Sequence, residues 1–353
     1  MRAHLEYAHT LDPISWRDRH AQGLVPDSLP YGLDRLEESG FEVSVRPRPP
    51  RVVRTGDAAV RQVTGGLSAF EALTARERRA ADISVCWDTR SGAAAAVRST
   101  LRGEPPVAFG VIWLTEDSVS YPPAGRLLAR RALHSAAAVW AMSPAQLRPL
   151  HESWGAPENR LHLLHMGIDA DFWTPADGAQ EPDLVVASGN DRHRDHGLIV
   201  AALSELRRKR PVRLELASHH DVDVPPELGR RHPQLDHRAM RDLYGRGALV
   251  ALALKPNLHI SGLSVLLESM ASGRAVVATE TPGMREYLED GVTGLLVPPG
   301  DPARLAGAVE ELLDEPERAA ELGRAGRAAV ERHFSTAQQA ASLAEILRTA
   351  LER

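Results

Sequence analysis

The sequence predicts an α/β protein made of two Rossmann-like domains that face each other across a cleft. Its 353 residues exceed what one compact core usually holds. Short apolar runs alternate with helix-like segments, as in parallel sheets covered by helices on both faces. A polar stretch with Pro and Gly, Thr174–Asp183, splits this alternation into two series. We expect domains over residues 1–175 and 183–336, with a last helix, about 337–353, packing back on the first domain.

The first series predicts strands at continuous apolar runs and helices between them. The predicted strands are Phe41–Val45, Asp82–Trp87, Pro106–Leu114, Ala137–Ser143 and Leu161–Gly167. The predicted helices are Tyr31–Ser39, Ala69–Ala81 and Pro123–Ser135.

The second series repeats this alternation and ends in a long charged helical tail. Its predicted strands are Asp183–Gly189, Val212–Ser218, Ala248–Leu254, Ala275–Glu280 and Gly294–Pro298. Its predicted helices before the tail are Gly197–Arg208, Arg238–Tyr244 and Ser264–Ala271. Two successive βα series of this kind are typical of two Rossmann-like domains.

Composition excludes several classes of protein. Apolar residues at 43% and charged residues at 25% are normal for a soluble globular chain. A net charge of −5 and a pI near 6.3 do not fit a nucleic-acid-binding protein. Cys86 is the one cysteine, which excludes a disulfide framework and a thiolate metal site.

The chain shows no signal for export or membrane insertion. The N-terminus lacks the apolar core of a signal peptide, and no apolar run approaches the roughly 20 residues that span a bilayer. We therefore expect a cytoplasmic protein. The basic amphipathic segment Gly125–His134 allows at most a peripheral membrane contact, and a solvated helix face is the favoured interpretation.

The stretch "HISGLSVLLES", from His259 to Ser269, follows a predicted strand and opens a predicted helix. A helix start with Gly and Ser presents unpaired backbone N–H groups and the positive end of the helix dipole, which suits an anion. Glu268 lies one turn further on, where it could receive the diol of a ribose. The alternative is a core helix capped by Ser264, with Glu268 as a solvated carboxylate.

The stretch "ASGNDRHRDHG", from Ala187 to Gly197, also joins a strand to a helix. Gly189, directly after the strand, would let the backbone approach a ligand closely. Arg192 and Arg194 offer guanidinium groups that suit a diphosphate. The alternative is an exposed charged loop.

Together these stretches resemble a known family. The segment 261–315, with the flanking "GALVALAL", "HMGIDADFWTP" and "ERHFS", resembles the C-terminal signature of the retaining GT-B glycosyltransferases of family 4, the glycosyl transferases group 1. The resemblance implies the GT-B fold and transfer of a sugar from a nucleotide-diphosphate sugar, with retained configuration and no metal or other cofactor. We favour a UDP-sugar over a GDP-sugar as donor, bound to the C-terminal domain. The acceptor, a small molecule or glycan, would bind the N-terminal domain; no nucleic-acid partner is expected.

The resemblance also assigns roles by position. Glu268 would hold the nucleotide ribose, the amides of the helix start would meet the diphosphate, and the basic loop after Gly189 would neutralise it as it leaves. The expected nucleotide-sugar contacts are Gly189, Asn190, His259, Ser261, Gly262, Ser264, Val265, Leu266 and Glu268. The expected catalytic residues are Arg194, Arg192 and Glu116, the last beside Asp117 in "VIWLTED".

The sequence departs from the family pattern at several positions. The first of two glutamates that bracket the helix start falls at Ile260, and the usual Arg and Lys of the basic loop fall near Asn190 and Asp195. Two alternatives therefore stay open: a non-catalytic homologue that binds nucleotide-sugar, and a GT-B nucleotide-sugar epimerase. An NAD-dependent dehydrogenase is disfavoured because no G-x-G-x-x-G opens either half.

Overall fold

The structure is a computed structural model that describes residues 1–7, 11–48, 51–68, 77–116, 121–176, 178 and 180–353. The chain forms two compact units. The first contains Met1–Gln22, Asp27–His165 and Ala337–Arg353, and the second contains Gly23–Pro26 and Met166–Thr336. Each unit is built on its own parallel sheet covered by helices, so the predicted α/β class with two Rossmann-like folds is confirmed.

The sheet of the first unit has six parallel strands among the described residues, in the order β2-β1-β3-β4-β5-β6. The strands are β1 Arg2–Glu6, β2 Glu42–Val45, β3 Ile83–Cys86, β4 Val107–Val111, β5 Ala138–Ala141 and β6 Leu161–Leu163. The sequence predicted all of them except β1. Strand β1 was not predicted because His4 and Glu6 interrupt its apolar run, although both side chains are buried.

The helices of the first unit lie between these strands. The α-helices are α1 Pro13–Ala21, α2 Arg51–Thr64, α3 Thr89–Arg102, α4 Pro123–Ser135 and α5 Pro144–Glu152, and 3-10 helices span Pro30–Ser39, Glu77–Ala80 and Glu158–Arg160. The predicted helix Ala69–Ala81 lies mostly outside the described residues. Helix α3 was not predicted because small residues are buried on nearly all its sides, including the four successive alanines from Ala93 to Ala96, and this leaves little apolar periodicity.

The sheet of the second unit is also parallel, with six strands among the described residues in the order β12-β11-β10-β7-β8-β9. The strands are β7 Glu181–Ser188, β8 Arg213–Ala217, β9 Gly229–His232, β10 Gly247–Leu252, β11 Ala275–Thr279 and β12 Leu295–Val297. The edge strand β9 was not predicted, because its sequence, Gly-Arg-Arg-His, has no apolar residue.

The helices that follow are α6 His196–Arg207, α7 His237–Arg246, α8 Leu263–Ala271, α9 Pro302–Asp314, α10 Pro316–His333 and α11 Thr336–Leu351, with a 3-10 helix at Met284–Glu286. Leucine, valine and alanine side chains from β7, β8, β10 and β11 pack with α6, α9 and α10 in one buried core. Among the described residues, no helix is both long and apolar enough to cross a bilayer.

Strand order places two loops side by side at one edge of the second sheet. Strand β7 pairs with β8 on one side and with β10 on the other, all parallel. The chain therefore builds the sheet outward in both directions from β7. Such a reversal opens a crevice beyond the carboxyl ends of the strands, where ligands bind in this class of sheet. The loops after β7 and β10 flank that crevice.

Arg327 of α10 holds three carbonyl groups of the second unit. Its Nη1 donates to the carbonyl oxygens of Ala170, Trp173 and Ala271 at 2.8, 2.6 and 2.7 Å. We expect Arg327→Ala to lower the free energy of unfolding by about 2–4 kcal/mol, because these carbonyls lose a charged donor. Arg332→Ala on the same helix is the control, since its Nε bonds only within the helix. Equal melting temperatures for the two variants would contradict the prediction.

Candidate functional site

The loop after β7 is anchored at both ends. Gly189 follows the strand at φ +131°, a conformation that favours glycine, and its N–H donates to the carbonyl of Ala217 at 3.0 Å. At the other end Asp195 caps α6, because its Oδ1 accepts from the N–H of Leu198 at 3.1 Å. The backbone between these anchors is thereby fixed at the carboxyl edge of the sheet.

The loop after β10 ends in a helix start without a side-chain cap. The N–H of Ser261 donates to Oδ1 of Asn257 at 2.8 Å, which shapes the loop. Gly262, at φ +94°, is the N-cap of α8 and makes no side-chain hydrogen bond to the first turn. The helix begins at Leu263, one residue before the predicted start, so the alternative in which Ser264 is the cap is wrong. The amides at this helix start suit an anion.

Arg194 packs between the two loops. Its guanidinium lies directly against Gly189 on one side and Gly262 on the other, so that a Cβ at either glycine would overlap it. The backbone of Arg194 also bridges to Leu254 at the start of the loop after β10. The side chain is therefore held at the switch point of the sheet by close packing.

The charge of Arg194 is buried without full compensation. The side chain belongs to a residue that is 8% exposed, and within the described part of the chain its Nε and Nη1 have no hydrogen-bond partner. Burial lowers the pKa of Arg194 to about 10, although the charges of Asp191, Tyr244 and Glu268 oppose that shift. A buried, unsatisfied cation is costly in a folded protein unless an anion meets it.

Glu268 interacts electrostatically with this cation and accepts a hydrogen bond from a buried tyrosine. Tyr244 on α7 is fully buried, and its hydroxyl donates to Oε2 of Glu268 at 3.2 Å and lies 3.0 Å from Oγ of Ser188. Burial raises the pKa of Glu268 to about 8, against the opposing effects of Tyr244 and Arg194. Glu268 is partly buried and not exposed, so it is not the solvated surface carboxylate that the alternative interpretation expected.

Two histidines share one carboxylate near the same loops. Oδ1 of Asp191 accepts from the N–H of His193 at 2.7 Å and from its Nδ1 at 3.1 Å, while Oδ2 faces Nε2 of His259 at 3.4 Å. Burial raises the pKa of Asp191, but the hydrogen bonds from His259 and from the His193 backbone outweigh it and hold the pKa well below its usual range. Asp191 is thus ionised at neutral pH.

The remaining predicted residues differ in exposure. Val265 and Leu266 are buried, so their side chains cannot meet a ligand, whereas Arg192 is exposed. The N–H of Leu266 already donates to the carbonyl of Gly262 at 2.9 Å, so the predicted contact of this amide with a diphosphate is wrong. Asn190 is exposed and fixes the loop after β8, since its Oδ1 accepts from the N–H of His219 at 2.6 Å. In the second unit the structure gathers Gly189, Arg194, Gly262 and Glu268 most closely.

Glu116 belongs to the first unit, in the loop after β4. It is buried, and its N–H donates to the carbonyl of Trp113 at 3.1 Å. Asp117 lies outside the described residues. The role assigned to Glu116 from the sequence remains a prediction.

Ile260 occupies the position where the family carries its first glutamate. It is 1% exposed, and its backbone has φ +52°, an uncommon value for a β-branched residue. Its carbonyl accepts from the N–H of Leu263 at 3.1 Å. The side chain is therefore part of the protein interior, and it offers no polar group to a ligand.

Sequence reasoning missed several polar groups that support the site. Besides Tyr244, Ser188 and Asp191, His196 donates from Nε2 to the carbonyl of Gly189 at 2.9 Å, and burial lowers its pKa to about 4. Asp191 and His196 lie in the stretch from Ala187 to Gly197. The predicted strand before it and the predicted helix after it could have indicated these two residues as members of the site. Tyr244 lies in an ordinary amphipathic helix, and nothing in its local sequence indicates the contact.

Comparison with known proteins finds a family model that matches most of the second unit. Residues 182–315 match the family model described as "Glycosyl transferases group 1". The chain is 30% identical over 253 residues to the alpha-maltose-1-phosphate synthase of Mycolicibacterium smegmatis, covering 62% of this chain and 65% of the relative. It is 26% identical over 377 residues to the D-inositol 3-phosphate glycosyltransferase 1 of Catenulispora acidiphila, covering 90% and 88%.

Of the first curated relatives it matches, the chain spans less than two thirds: 65% of the M. smegmatis protein and 57% of the two matching proteins from Mycobacterium tuberculosis. Solved structures agree in fold over nearly the whole chain. Sucrose-phosphate synthase from Thermosynechococcus elongatus superposes with a TM-score of 0.71 at 17% identity, covering 99% of this chain and 98% of that one. Anabaena HepE in complex with UDP and glucose gives 0.71 at 15%, covering 98% and 99%. The predicted GT-B fold and the resemblance to group 1 are confirmed.

The unsatisfied charge of Arg194 leads to a stability prediction. We expect Arg194→Met to raise the free energy of unfolding of the ligand-free protein by about 1–3 kcal/mol, because an apolar side chain removes the buried cation. Arg274→Met is the control: Arg274 is equally buried, but its Nε and Nη1 donate to the carbonyls of Ser272 and Gly247. That variant should be destabilised. Thermal unfolding checks both, and a lower melting temperature for Arg194→Met would contradict the prediction.

Proposed function

We propose, from the premise that the chain carries the group 1 glycosyltransferase signature on the GT-B fold, that it is an enzyme that transfers a sugar from a nucleotide-diphosphate sugar to a hydroxyl acceptor. The observation that carries the proposal is Arg194. Its buried guanidinium lacks partners at Nε and Nη1 within the described residues, and it lies beside a helix start that has no side-chain cap. Both features favour a diphosphate at this point.

The proposed donor lies along α8. The diphosphate would meet the amides at Ser264 and Val265 together with Arg194, and Glu268 would accept the hydrogen bonds of the ribose diol. When the bond from the anomeric carbon to the diphosphate breaks, negative charge develops on the phosphate oxygens. A fixed guanidinium and fixed amides stabilise that charge without having to reorganise. Exposed Arg192 in the same loop would add a second, more mobile cation.

We further propose a UDP-sugar as donor and transfer with retained configuration. UDP is favoured because Anabaena HepE, which has a similar fold, was solved in complex with UDP and glucose and with UDP-glucose. The positive charge that a divalent cation supplies in other enzymes would come from Arg194 and the helix start, so we expect activity to persist in EDTA.

The proposed acceptor is a small molecule or a glycan bound by the first unit. The names of three similar proteins refer to maltose 1-phosphate, inositol 3-phosphate and sucrose phosphate. Phosphorylated sugars and cyclitols are therefore the first acceptors to test. Glu116, buried after β4, is the residue we assign to this side of the reaction.

Ile260 supports one competing function. A loop that offers no carboxylate to the donor sugar could belong to a homologue that binds nucleotide-sugar without transferring it. Such a protein would bind UDP but would release none from a UDP-sugar with any acceptor. A nucleotide-sugar epimerase, in contrast, would convert the donor with no acceptor present.

Incubation with UDP-glucose, UDP-galactose, UDP-N-acetylglucosamine and GDP-mannose, each with and without sugar-phosphate acceptors, tests the proposal. We expect acceptor-dependent release of UDP and an α-linked product from an α-linked donor, detected by coupled assay and NMR.

Arg194→Met should lower turnover by about 100-fold or more, because the negative charge on the leaving diphosphate would lose the guanidinium that stabilises it. Nucleotide binding without release, across all acceptors, would contradict enzymatic transfer.

The pKa of Glu268 predicts how UDP affinity depends on pH. With a pKa of about 8 in the free protein, the carboxyl holds a proton at pH 7, whereas a ribose diol prefers the ionised form. We expect UDP affinity to rise about tenfold between pH 7 and pH 9, and to level off above the pKa of the free carboxyl. The UDP phosphates are already ionised above about pH 7.

Calorimetric titration at several pH values measures this dependence. Glu268→Gln cannot ionise, so its UDP affinity should stay flat over the same range. A wild-type profile as flat as that of Glu268→Gln would show that Glu268 does not meet the ribose.

A further inference from the structure

Tyr244 connects three separate elements of the second unit through a single hydroxyl group. It projects from α7 and lies between Ser188, at the end of β7, and Glu268 on α8. The hydroxyl oxygen is 3.0 Å from Oγ of Ser188 and 3.2 Å from Oε2 of Glu268. Tyr244 is fully buried; its contact with Ser188 is buried, and its contact with Glu268 is partly buried.

The donor and acceptor properties of the three groups fix the direction of these hydrogen bonds. A phenolic hydroxyl has one proton to donate, and an ionised carboxylate can only accept. When Glu268 is ionised, Tyr244 therefore donates to Oε2, and Ser188 donates to Tyr244. Oε2 thus accepts a hydrogen bond from a buried group of the protein. Because Glu268 is partly exposed, Oε1 is left to accept from a ligand.

We propose that Tyr244 is a positioning residue that gives the site its selectivity for a nucleotide with an intact ribose diol. The inference rests on the proposed function, in which Glu268 meets the ribose. By holding Oε2, Tyr244 fixes the rotamer of Glu268 and orients the remaining oxygen toward the diol. A nucleotide without the two ribose hydroxyls gains nothing from this orientation.

The charges around Glu268 support the same role. Tyr244 from α7 and Arg194 from the loop after β7 are the groups that favour its ionised form, against the effect of burial. Removal of the Tyr244 hydroxyl leaves burial opposed by Arg194 alone. Ionisation of Glu268 should then require a higher pH, and ribose binding should follow it.

A purely structural role for Tyr244 predicts a different outcome. Its ring packs near Trp173, with centroids 5.8 Å apart at 57°. Tyr244→Phe keeps the ring and removes only the hydroxyl. Tyr287→Phe is the matched control, because Tyr287 is also buried in this unit and its hydroxyl accepts from the N–H of Met166 at 3.1 Å.

The experiment compares UDP with 2′,3′-dideoxyuridine diphosphate by calorimetry for the wild type and both variants. We expect Tyr244→Phe to weaken UDP binding about five- to tenfold at pH 7.5, while binding of the dideoxy nucleotide changes less than twofold. The midpoint of the UDP pH profile should also move to higher pH. Tyr287→Phe should leave the preference for UDP unchanged.

The outcomes separate the two proposals. If the wild type binds UDP and Tyr244→Phe keeps the same preference for UDP and the same pH profile, the role of Tyr244 is overturned while the proposed function stands. If the wild type binds neither nucleotide, the proposed function fails and this inference fails with it. Equal loss of both nucleotides in Tyr244→Phe, with a lower melting temperature, would show a structural role and also overturn the inference.

Discussion

The packing of one guanidinium against two glycines determines the form of the candidate site. Arg194 can lie between the loops after β7 and β10 only because Gly189 and Gly262 lack side chains. Those loops are adjacent because β7 and β10 pair in the sheet. The cap by Asp195 and the bond from Ser261 to Asn257 then hold each loop in place. Sheet order, loop conformation and the buried charge thus form one connected constraint.

In the ligand-free site, two ionisable side chains are buried without full pairing of their charges. Burial lowers the pKa of Arg194 and raises the pKa of Glu268, so each group is held in an environment that disfavours its charge. A ligand that brings a diphosphate to one and a diol to the other would relieve both penalties together. A nucleoside diphosphate carries a diphosphate and, on its ribose, a diol. The nucleotide-diphosphate sugar of the proposed function would bring both groups, and Tyr244 and Asp191 would support the residues that meet them.

Sequence patterns predicted the parts of this molecule that depend on local signals. Apolar runs located most strands, a glycine directly after a strand located the first loop, and a helix start with Gly and Ser located the second, because these features follow from nearby residues. Strands β1 and β9 were missed, since polar residues there are buried or at an edge for tertiary reasons. Tyr244 could not be found for the same reason: its partners lie 56 and 24 residues away. The assignment of individual residues to a donor remains a prediction.

Ile260 gives the start of the loop before α8 an apolar side chain where the resembled family pattern has a carboxylate. A carboxylate at this position, where Ile260 is 1% exposed, would be a buried charge, which is costly unless it is paired. Isoleucine avoids that penalty but accepts a left-handed φ of +52°, which costs of order 1–3 kcal/mol. The following turn holds it there, since Leu263 donates to the Ile260 carbonyl and begins α8. The loop conformation is thus retained without the carboxylate, so the helix start does not depend on it. In the proposed function, a contact with the donor sugar would have to come from other groups, and the neighbouring polar side chains are Ser261 and His259, the latter beside the ionised Asp191.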